Sequence, residues 1–245
     1  MLKIVIPMAG MGSRFAKAGY TTPKPFIGVL GKKMIELVIE NLTPSTEHQF
    51  IFICQLEHEN NYGISSALKS INPQCKVKLI SGLTDGAACT VLEAEEYITD
   101  DKLMIANCDQ YIDININDYL SSWNESHMSG YIMTMNANDK KWSYVGIKDD
   151  GKVNQVVEKK VISNEATVGI YNFSSGLDFV YSAKKMISRN ERVNNEFYVA
   201  PVYNILIDED YSVGYYNIGK VNQGMYGLGT PEDLETFVEI KSAKK

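Results

Sequence analysis

The sequence AGMGSR, at residues 9–14, could bind phosphate groups through its main chain. It directly follows an apolar run, and its glycines leave the backbone N–H groups free to face an anion. Arg14 ends this glycine loop, and Lys24 follows further along between Pro23 and Pro25. A guanidinium can hold two phosphate oxygens at once, while a lysine acts as a point charge. Together these residues predict a site for a triphosphate.

Two familiar phosphate-binding motifs do not match the glycine loop. The dinucleotide fingerprint GxGxxG requires a third glycine where Phe15 stands, and the P-loop pattern GxxxxGK[ST] does not occur there. A GxG pair after a strand is also typical of a tight turn with no ligand. The phosphate interpretation therefore depends on Arg14 and Lys24.

The elements that position these residues alternate between strands and helices in the first half of the chain. Apolar runs with the composition of buried parallel strands occupy residues 2–8, 50–54, 77–80 and 103–106. The helical patterns between them cover residues 34–42, 59–71 and 86–98. This alternation predicts parallel βαβ units, in which ligands bind at the carboxyl ends of the strands.

The second half of the chain has shorter strand patterns separated by turn residues, at 131–135, 144–148, 153–157 and 167–173. They predict an antiparallel extension of the same sheet. Further helices are expected at 177–188 and 197–207, a strand near 213–217, and a last helix from Thr230 or Pro231. We expect one domain over residues 1–245, with a nucleotide-binding half at 1–128 and a substrate-binding half at 129–245.

Composition narrows the class of protein. The chain has 245 residues, 44% of them hydrophobic and 22% charged, as in an ordinary globular protein. A net charge of −6, with basic residues clustered only at Lys241, Lys244 and Lys245, argues against nucleic-acid binding. No apolar run is long enough to predict a membrane span, and the N-terminal residues do not match a signal peptide. We therefore expect a cytoplasmic protein. The four cysteines lack metal-site spacing. Whether the chain forms a homo-oligomer stays open.

A series of motifs in a fixed order resembles the nucleotidyltransferase family that makes nucleotide sugars and activated choline-type phosphates. The motifs are GSRF at 12–15, PKPF at 23–26, GKKMI at 31–35, DGAA at 85–88, ANCD at 106–109, EK at 158–159, VGIY at 168–171 and GTPEDL at 229–234. They span nearly the whole chain, and their joint order is more specific than any one of them. The resemblance also implies a role in capsule or surface-polysaccharide assembly.

The resemblance implies a Rossmann-like α/β fold of the GT-A type, with a mixed, mainly parallel sheet flanked by helices. It implies a Mg²⁺-dependent enzyme that joins a nucleoside triphosphate to a small phosphorylated acceptor and releases pyrophosphate. Arg14, Lys24 and Asp109 would be catalytic. The implied nucleotide-binding residues are Met8, Ala9, Gly10, Met11, Gly12, Ser13, Arg14, Lys24, Ser81, Asp85, Gly86 and Ala87.

Asp109 is the residue that the resemblance assigns to magnesium. A single carboxylate with phosphate oxygens and water is a suitable ligand set for this ion. An aspartate after a strand could instead cap a turn. We favour the metal because ligands collect at strand ends in such sheets.

On the acceptor side, the resemblance implies binding by Glu158, Lys159 and Gly169, although an exposed ion pair at a strand end would also fit the first two. Residues 194–198 are expected to begin a helix directed at the acceptor. Glu196 and Tyr198 are its candidate ligands.

Three positions depart from the family pattern. Gly227 stands where many members carry a second metal-binding aspartate. Either another residue, Asn222 or Gln223, approaches the ion in its place, or Asp109 and phosphates suffice. Ser81 replaces a base-reading glutamine, and Val145 replaces a glycine that often contacts a sugar. The nucleobase therefore stays open, as does the acceptor, which could be a sugar 1-phosphate or an amino-alcohol or polyol phosphate.

Two other functions are compatible with the same sheet. A GT-A glycosyltransferase would use a finished nucleotide sugar, but its usual DxD motif is absent from Asp109-Gln110-Tyr111. A non-catalytic nucleotide-binding protein would explain the missing carboxylate at Gly227.

Overall fold

The computed structural model describes residues 1–243, and the tail residues Lys244 and Lys245 lie outside this part. Its strands are β1 (Leu2–Pro7), β2 (Gly28–Val29), β3 (Lys32–Lys33), β4 (His48–Gln55), β5 (Lys76–Ile80), β6 (Lys102–Ala106), β7 (Gln110–Ile112), β8 (Gly130–Asn136), β9 (Ser143–Ile147), β10 (Val153–Glu158), β11 (Glu165–Phe173), β12 (Val213–Val221) and β13 (Gly224–Gly227).

The helices of the same residues are α1 (Ser13–Lys17), α2 (Met34–Leu42), α3 (Leu56–Tyr62), α4 (Ile64–Ile71), α5 (Ala87–Leu92), α6 (Ile116–Ser126), α7 (Gly176–Ser188), α8 (Val202–Asp208) and α9 (Pro231–Ser242). Short 3-10 turns occupy Lys24–Phe26 and Glu95–Tyr97. None of these helices is both long and apolar enough to span a bilayer.

Eleven strands of residues 1–243 form one mixed sheet, whose main order is β5-β4-β1-β6-β11-β8-β12-β13-β7. The strands β5, β4, β1 and β6 are parallel, and β11 pairs antiparallel with both β6 and β8. The strands β9 and β10 extend the sheet from β11. The α/β class with an antiparallel extension is thus confirmed, and the two predicted halves share one sheet.

The sheet has an apolar layer on each face because its central strands are buried on both sides. In β1, Ile4 and Ile6 pack on the face covered by α2, α4 and α6. Val5 packs on the opposite face, against α5, α7 and α8. Each such fully buried aliphatic side chain contributes roughly 1.5–3 kcal/mol to folding. This packing fixes the strand ends from which the glycine loop and Asp109 project.

Two of the predicted helices were placed wrongly. The helix expected at 59–71 is two helices, because Gly63 between α3 and α4 has a φ of 58°, in the left-handed region. The helix expected from residue 197 begins at Val202. Asn194 and Asn195 before it have φ values of 50° and 64°, which right-handed helices do not allow. The predicted helix at 86–98 is shorter, since α5 ends at Leu92.

Candidate active site

Most of the predicted nucleotide-binding and catalytic residues line one cavity of about 460 Å³ at the carboxyl ends of β1 and β6, here called the loop cavity. The predicted residues among its walls are Met8, Gly10, Gly12, Ser13, Arg14, Lys24, Ala87 and Asp109. A parallel sheet brings these segments together because β1 and β6 are neighbours whose carboxyl ends point the same way.

The glycine loop leaves β1 through backbone conformations that need small residues. Gly12 has a φ of 59°, and a Cβ there would lie 3.4 Å from the Cβ of Lys24. Nothing lies within 4 Å of the corresponding point at Gly10, so that side of the loop is open. The amide nitrogen of Gln55 donates to the carbonyl oxygens of Ala9, at 2.7 Å, and Gly82, at 2.8 Å. The loop is therefore held by Gln55 and is open beside Gly10.

A cation and a carboxylate face each other inside the loop cavity. Lys24 Nζ donates to Asp109 Oδ2 at 2.5 Å, and their side chains are 20% and 24% exposed. Burial alone would lower the pKa of Lys24, but the charge of Asp109, its hydrogen bond to Lys24 and the nearby Cys108 together outweigh burial and raise the pKa above the ordinary lysine value. Lys24 is thus held in its charged form. An incoming phosphate and a metal ion would each take over one member of this pair.

The surroundings of Asp109 fit a magnesium ion held by one protein carboxylate. A Cβ at Gly229 would lie 2.7 Å from Asp109 Oδ2, so glycine keeps the approach to this oxygen open. Residues 1–243 contain no cluster of three or more histidine, cysteine, aspartate and glutamate side chains that could hold an ion alone. Asn222 and Gln223 lie in the exposed turn between β12 and β13 and are not among the walls of the loop cavity. The remaining ligands would be phosphate oxygens and water.

On the nucleobase side, the predicted residues spread over several surfaces. Met11 and Ser81 line an open cavity of about 760 Å³ that also includes Gln55 and His58, here called the outer cavity. Asp85 faces outward and pairs with Arg192 at 3.0 Å.

Gly86 is packed against the backbone of Phe197, where a Cβ would lie 2.5 Å from the carbonyl oxygen. The Phe197 N–H donates to Asp85 O at 2.7 Å, and the Ala88 N–H donates to Phe197 O at 3.0 Å. The turn at residues 85–88 is therefore joined directly to the segment that carries Glu196 and Tyr198.

The predicted acceptor-side residues also come together. Glu158, Lys159, Gly169, Glu196 and Tyr198 line a cavity of about 410 Å³, here called the acceptor-side cavity. Lys159 Nζ donates to the Tyr198 hydroxyl at 2.5 Å and lies 4.7 Å from the centre of its ring. This hydrogen bond raises the pKa of Lys159.

Glu158 is the buried carboxyl of the acceptor-side cavity. Only 8% of the residue is exposed, and it accepts a hydrogen bond from the Ser143 hydroxyl. Burial raises the pKa of Glu158, although the bond from Ser143 and the charge of Lys159 both act in the opposite direction. A buried carboxyl with a raised pKa can accept a hydrogen bond from a hydroxyl group of a ligand or, when protonated, donate one to it.

Several residues of these walls were not predicted from the sequence. Ser143, Trp142 and Lys141 line the acceptor-side cavity. Ser143 begins β9 and the other two precede it directly, and none of the three belongs to a motif that marks it. Asn107 lines both the loop cavity and the acceptor-side cavity. Its position two residues before Asp109, at the same strand end, was the signal that could have identified it.

Comparison with known proteins identifies the family of the chain. The family model for nucleotidyl transferases matches residues 3–217. The chain belongs to the nucleotidyl transferase family. This confirms the family resemblance that the ordered motifs indicated. Its relatives in this family have low sequence identity to the chain, but the matches cover much or all of its length.

Among relatives in sequence, the chain is 24% identical over its whole length to the low-salt glycan biosynthesis nucleotidyltransferase Agl11 of Haloferax volcanii and covers 68% of that protein. It is 24% identical to the bifunctional protein GlmU of Thermodesulfovibrio yellowstonii, with 95% of this chain and 50% of that protein covered. The chain thus spans about half the length of this second relative.

Solved structures show the same fold. A nucleoside-diphosphate-sugar pyrophosphorylase from Vibrio cholerae RC9 superposes with a TM-score of 0.81 at 26% identity, covering 96% of this chain and 99% of that one. The inositol-1-phosphate CTP transferase from T. maritima superposes with a TM-score of 0.75 at 16% identity, covering 98% and 94%. At this lower identity the likeness concerns the fold alone.

Proposed function

We propose that the chain transfers a nucleotidyl group from a nucleoside triphosphate to the phosphate of a small acceptor, with release of pyrophosphate. The observation that carries the proposal is the junction of the loop cavity and the acceptor-side cavity, which share Arg14, Ala87, Asn107 and Glu196. Two substrates bound in adjoining cavities would meet there with their phosphates in contact. Residues 1–128 would bind the triphosphate, and residues 129–245 would supply most of the acceptor site.

The reaction would proceed by positioning and charge neutralisation. An acceptor phosphate oxygen attacks the α-phosphorus, the bond to the bridging oxygen of the β-phosphate breaks, and pyrophosphate leaves with the electron pair. A phosphomonoester has a second pKa of about 6 and is mostly ionised at neutral pH, so no general base is required.

Arg14 and Lys24 would bind triphosphate oxygens, and main-chain groups of the glycine loop would hold the phosphates from the other side. Asp109 would hold Mg²⁺, which neutralises phosphate charge when bound. Lys24 would then exchange its bond to Asp109 for one to a phosphate. The turn at 85–87, together with Ser81, would contact the base.

On the acceptor side, Lys159 would bind the acceptor phosphate and Glu158 would accept a hydrogen bond from an acceptor hydroxyl. Gly169, Glu196 and Tyr198 would shape the rest of this cavity. A sugar 1-phosphate is favoured because Agl11 is named for glycan biosynthesis and the Vibrio structure for nucleoside-diphosphate sugars. We extend this to capsule or surface-polysaccharide assembly in the cytoplasm, with an amino-alcohol or polyol phosphate as the alternative acceptor.

The test is a matrix of five triphosphates, CTP, UTP, dTTP, GTP and ATP, each with Mg²⁺ and one acceptor. The acceptors are glucose 1-phosphate, inositol 1-phosphate, glycerol 3-phosphate and phosphocholine. Pyrophosphate release that requires one triphosphate and one acceptor supports the proposal.

Triphosphate binding without turnover across the matrix would instead support a non-catalytic nucleotide-binding protein. Sugar transfer or hydrolysis from a finished UDP-sugar, in place of pyrophosphate release, would support a glycosyltransferase. Omitting Mg²⁺, with EDTA present, should abolish turnover if Asp109 acts through the ion.

A further inference from the structure

Asn107 is one of four residues that line both the loop cavity and the acceptor-side cavity. Among the others, Ala87 has no polar side chain, Arg14 is assigned to the triphosphate, and Glu196 carries a negative charge. Asn107 alone is a neutral side chain with an N–H donor. Such a group suits the place where two phosphates approach, because it can donate a hydrogen bond without adding charge.

The position of Asn107 is fixed through both its main chain and its side chain. Its backbone N–H, just after the end of β6, donates to the carbonyl oxygen of Gly169 at 3.0 Å. Its Nδ2 atom lies 3.5 Å from Oε1 of Gln110, a residue that is only 6% exposed. The side chain itself stays accessible from the two cavities. The side chain of Asn107 is therefore held in position and still accessible to a ligand.

Gly169 provides a second, independent observation. Its φ is 80°, and a Cβ there would overlap Nδ2 of Asn107 and lie 2.7 Å from Oε1 of Gln110. The absent side chain thus makes the room that the amide of Asn107 occupies. The sequence marked Gly169 as a substrate-side residue, and this contact gives a physical reason why a glycine stands there.

We propose that Asn107 is a further catalytic residue, whose Nδ2–H donates to a non-bridging oxygen of the α-phosphate during transfer. The inference rests on the proposed function. As the acceptor oxygen bonds to the α-phosphorus and pyrophosphate leaves with the electron pair, negative charge spreads over the non-bridging oxygens. A fixed donor at this point stabilises that charge. Asn107 gains and loses no proton in the step.

The test compares Asn107→Ala with Asn107→Asp in the active pair of substrates from the matrix. Loss of one such donor should lower kcat about 100-fold in Asn107→Ala. Asn107→Asp should be slower still, because a carboxylate cannot donate and repels phosphate. The Kd for the triphosphate with Mg²⁺, measured by calorimetry, should rise less than about threefold in Asn107→Ala, since Arg14 and Lys24 carry ground-state binding.

If Asn107 has a merely structural role, the kcat values of Asn107→Ala and Asn107→Asp should rank in the opposite order. The amide nitrogen of Gln110 is buried and has no hydrogen-bond partner within residues 1–243. Rotation of that amide would let it donate to an aspartate at position 107. A residue that only holds Gln110 would therefore tolerate Asn107→Asp better than Asn107→Ala, and this order overturns the proposal.

Gly169→Ala supplies an independent test because it displaces the amide of Asn107 without removing it. Its kcat should fall about as far as that of Asn107→Ala, and the double variant should lose little more, as expected for residues acting as one unit. Losses that multiply in the double variant contradict the proposal. Thermal midpoints of all variants separate the strain of an alanine at this φ from the kinetic effect.

The proposal can fail separately from the proposed function. An active native chain whose Asn107→Ala variant keeps its full rate refutes the role of Asn107 alone. A native chain that releases pyrophosphate with no pair of substrates refutes both.

Discussion

The loop cavity and the acceptor-side cavity are built in different ways. The loop cavity takes most of its walls from the exits of two parallel neighbours, β1 and β6, and from the loop that carries Lys24. The acceptor-side cavity takes its polar groups from distant segments, including β9, β10 and the irregular stretch before α8. A local motif therefore describes much of the first cavity and little of the second.

The two cavities also hold their charges differently. In the loop cavity, Lys24 and Asp109 neutralise each other at 2.5 Å. They would have to separate for a phosphate and Mg²⁺ to bind there as proposed. In the acceptor-side cavity, Glu158 is buried against Ser143, and burial raises its pKa. We therefore expect variants of the loop cavity to act mainly on turnover, and variants of the acceptor-side cavity to act on acceptor affinity and on stability.

The largest expected effect is that of Asp109→Ala. Turnover should fall by about 100-fold or more, since removing a metal ligand forfeits several kcal/mol of transition-state stabilisation. The measurement is the initial rate of pyrophosphate release. Asp149→Ala, at an exposed turn residue, is the matched control and should keep the native rate. Near-normal turnover in Asp109→Ala, with an unchanged thermal midpoint, would remove Asp109 from its proposed role.

Gly86→Ala should affect both cavities at once. The added Cβ would lie 2.5 Å from the Phe197 carbonyl oxygen, so the turn at 85–88 and the segment carrying Glu196 must move apart. Misplacement by about 1 Å can cost on the order of 100-fold in rate, so kcat/KM should fall for triphosphate and acceptor alike. Steady-state kinetics with each substrate varied in turn measures the two effects.

A control for this variant is Gly151→Ala. Gly151 has a φ of 81°, but nothing lies within 4 Å of the atom that the substitution adds. The control carries the backbone strain of an alanine in this region without the clash. An effect of Gly86→Ala on the triphosphate KM alone would show that the two cavities are not joined through Phe197.

Tyr198→Phe should have a smaller effect, confined to the acceptor. The variant removes the hydroxyl that accepts from Lys159 but keeps the ring beneath its ammonium group. One hydrogen bond contributes about 0.5–1.5 kcal/mol, so the acceptor KM should rise roughly twofold to thirteenfold. The triphosphate KM should stay constant. An equal rise in both values would contradict the division between the cavities.

The contrast between the cavities explains what the sequence could predict. The βαβ alternation and the residues at strand exits follow from periodicity and local motifs, and the structure brought Arg14, Lys24 and Asp109 into one cavity. The contacts of Ser143 with Glu158 join residues 15 positions apart across two antiparallel strands. No local pattern encodes such a pairing, because it depends on strand register.

Two errors in the expected helices have identifiable causes. The helix expected from residue 197 does not form there because the backbone of Phe197 bonds to the distant residues 85 and 88 instead of to its neighbours in sequence. The helix α6 was missed because its sequence, INDYLSSWNES, is rich in polar residues with weak helix preference. It forms because the Asn115 side chain caps it and because Tyr119 and Trp123 are buried against the sheet.

The smallest predicted effect concerns stability, and it comes from Glu158→Gln. Because the folded-state pKa of Glu158 is raised, this group favours folding at low pH, and that contribution is lost as pH rises through the folded pKa. A neutral glutamine avoids the loss and can still accept from Ser143. The variant should therefore unfold at a higher temperature than the native chain at pH 7.5, by about 2–4 °C for each kcal/mol.

The difference in thermal midpoint should shrink as the pH is lowered toward 4, where Glu158 of the native chain is also protonated. Scanning calorimetry between pH 4 and 8 at constant ionic strength measures the trend. Glu125→Gln, at an exposed position of α6, is the control and should show no such dependence. If Glu158→Gln lowers the midpoint at every pH, the carboxylate stabilises the acceptor-side cavity, and the proposed contrast with the Lys24–Asp109 pair is wrong.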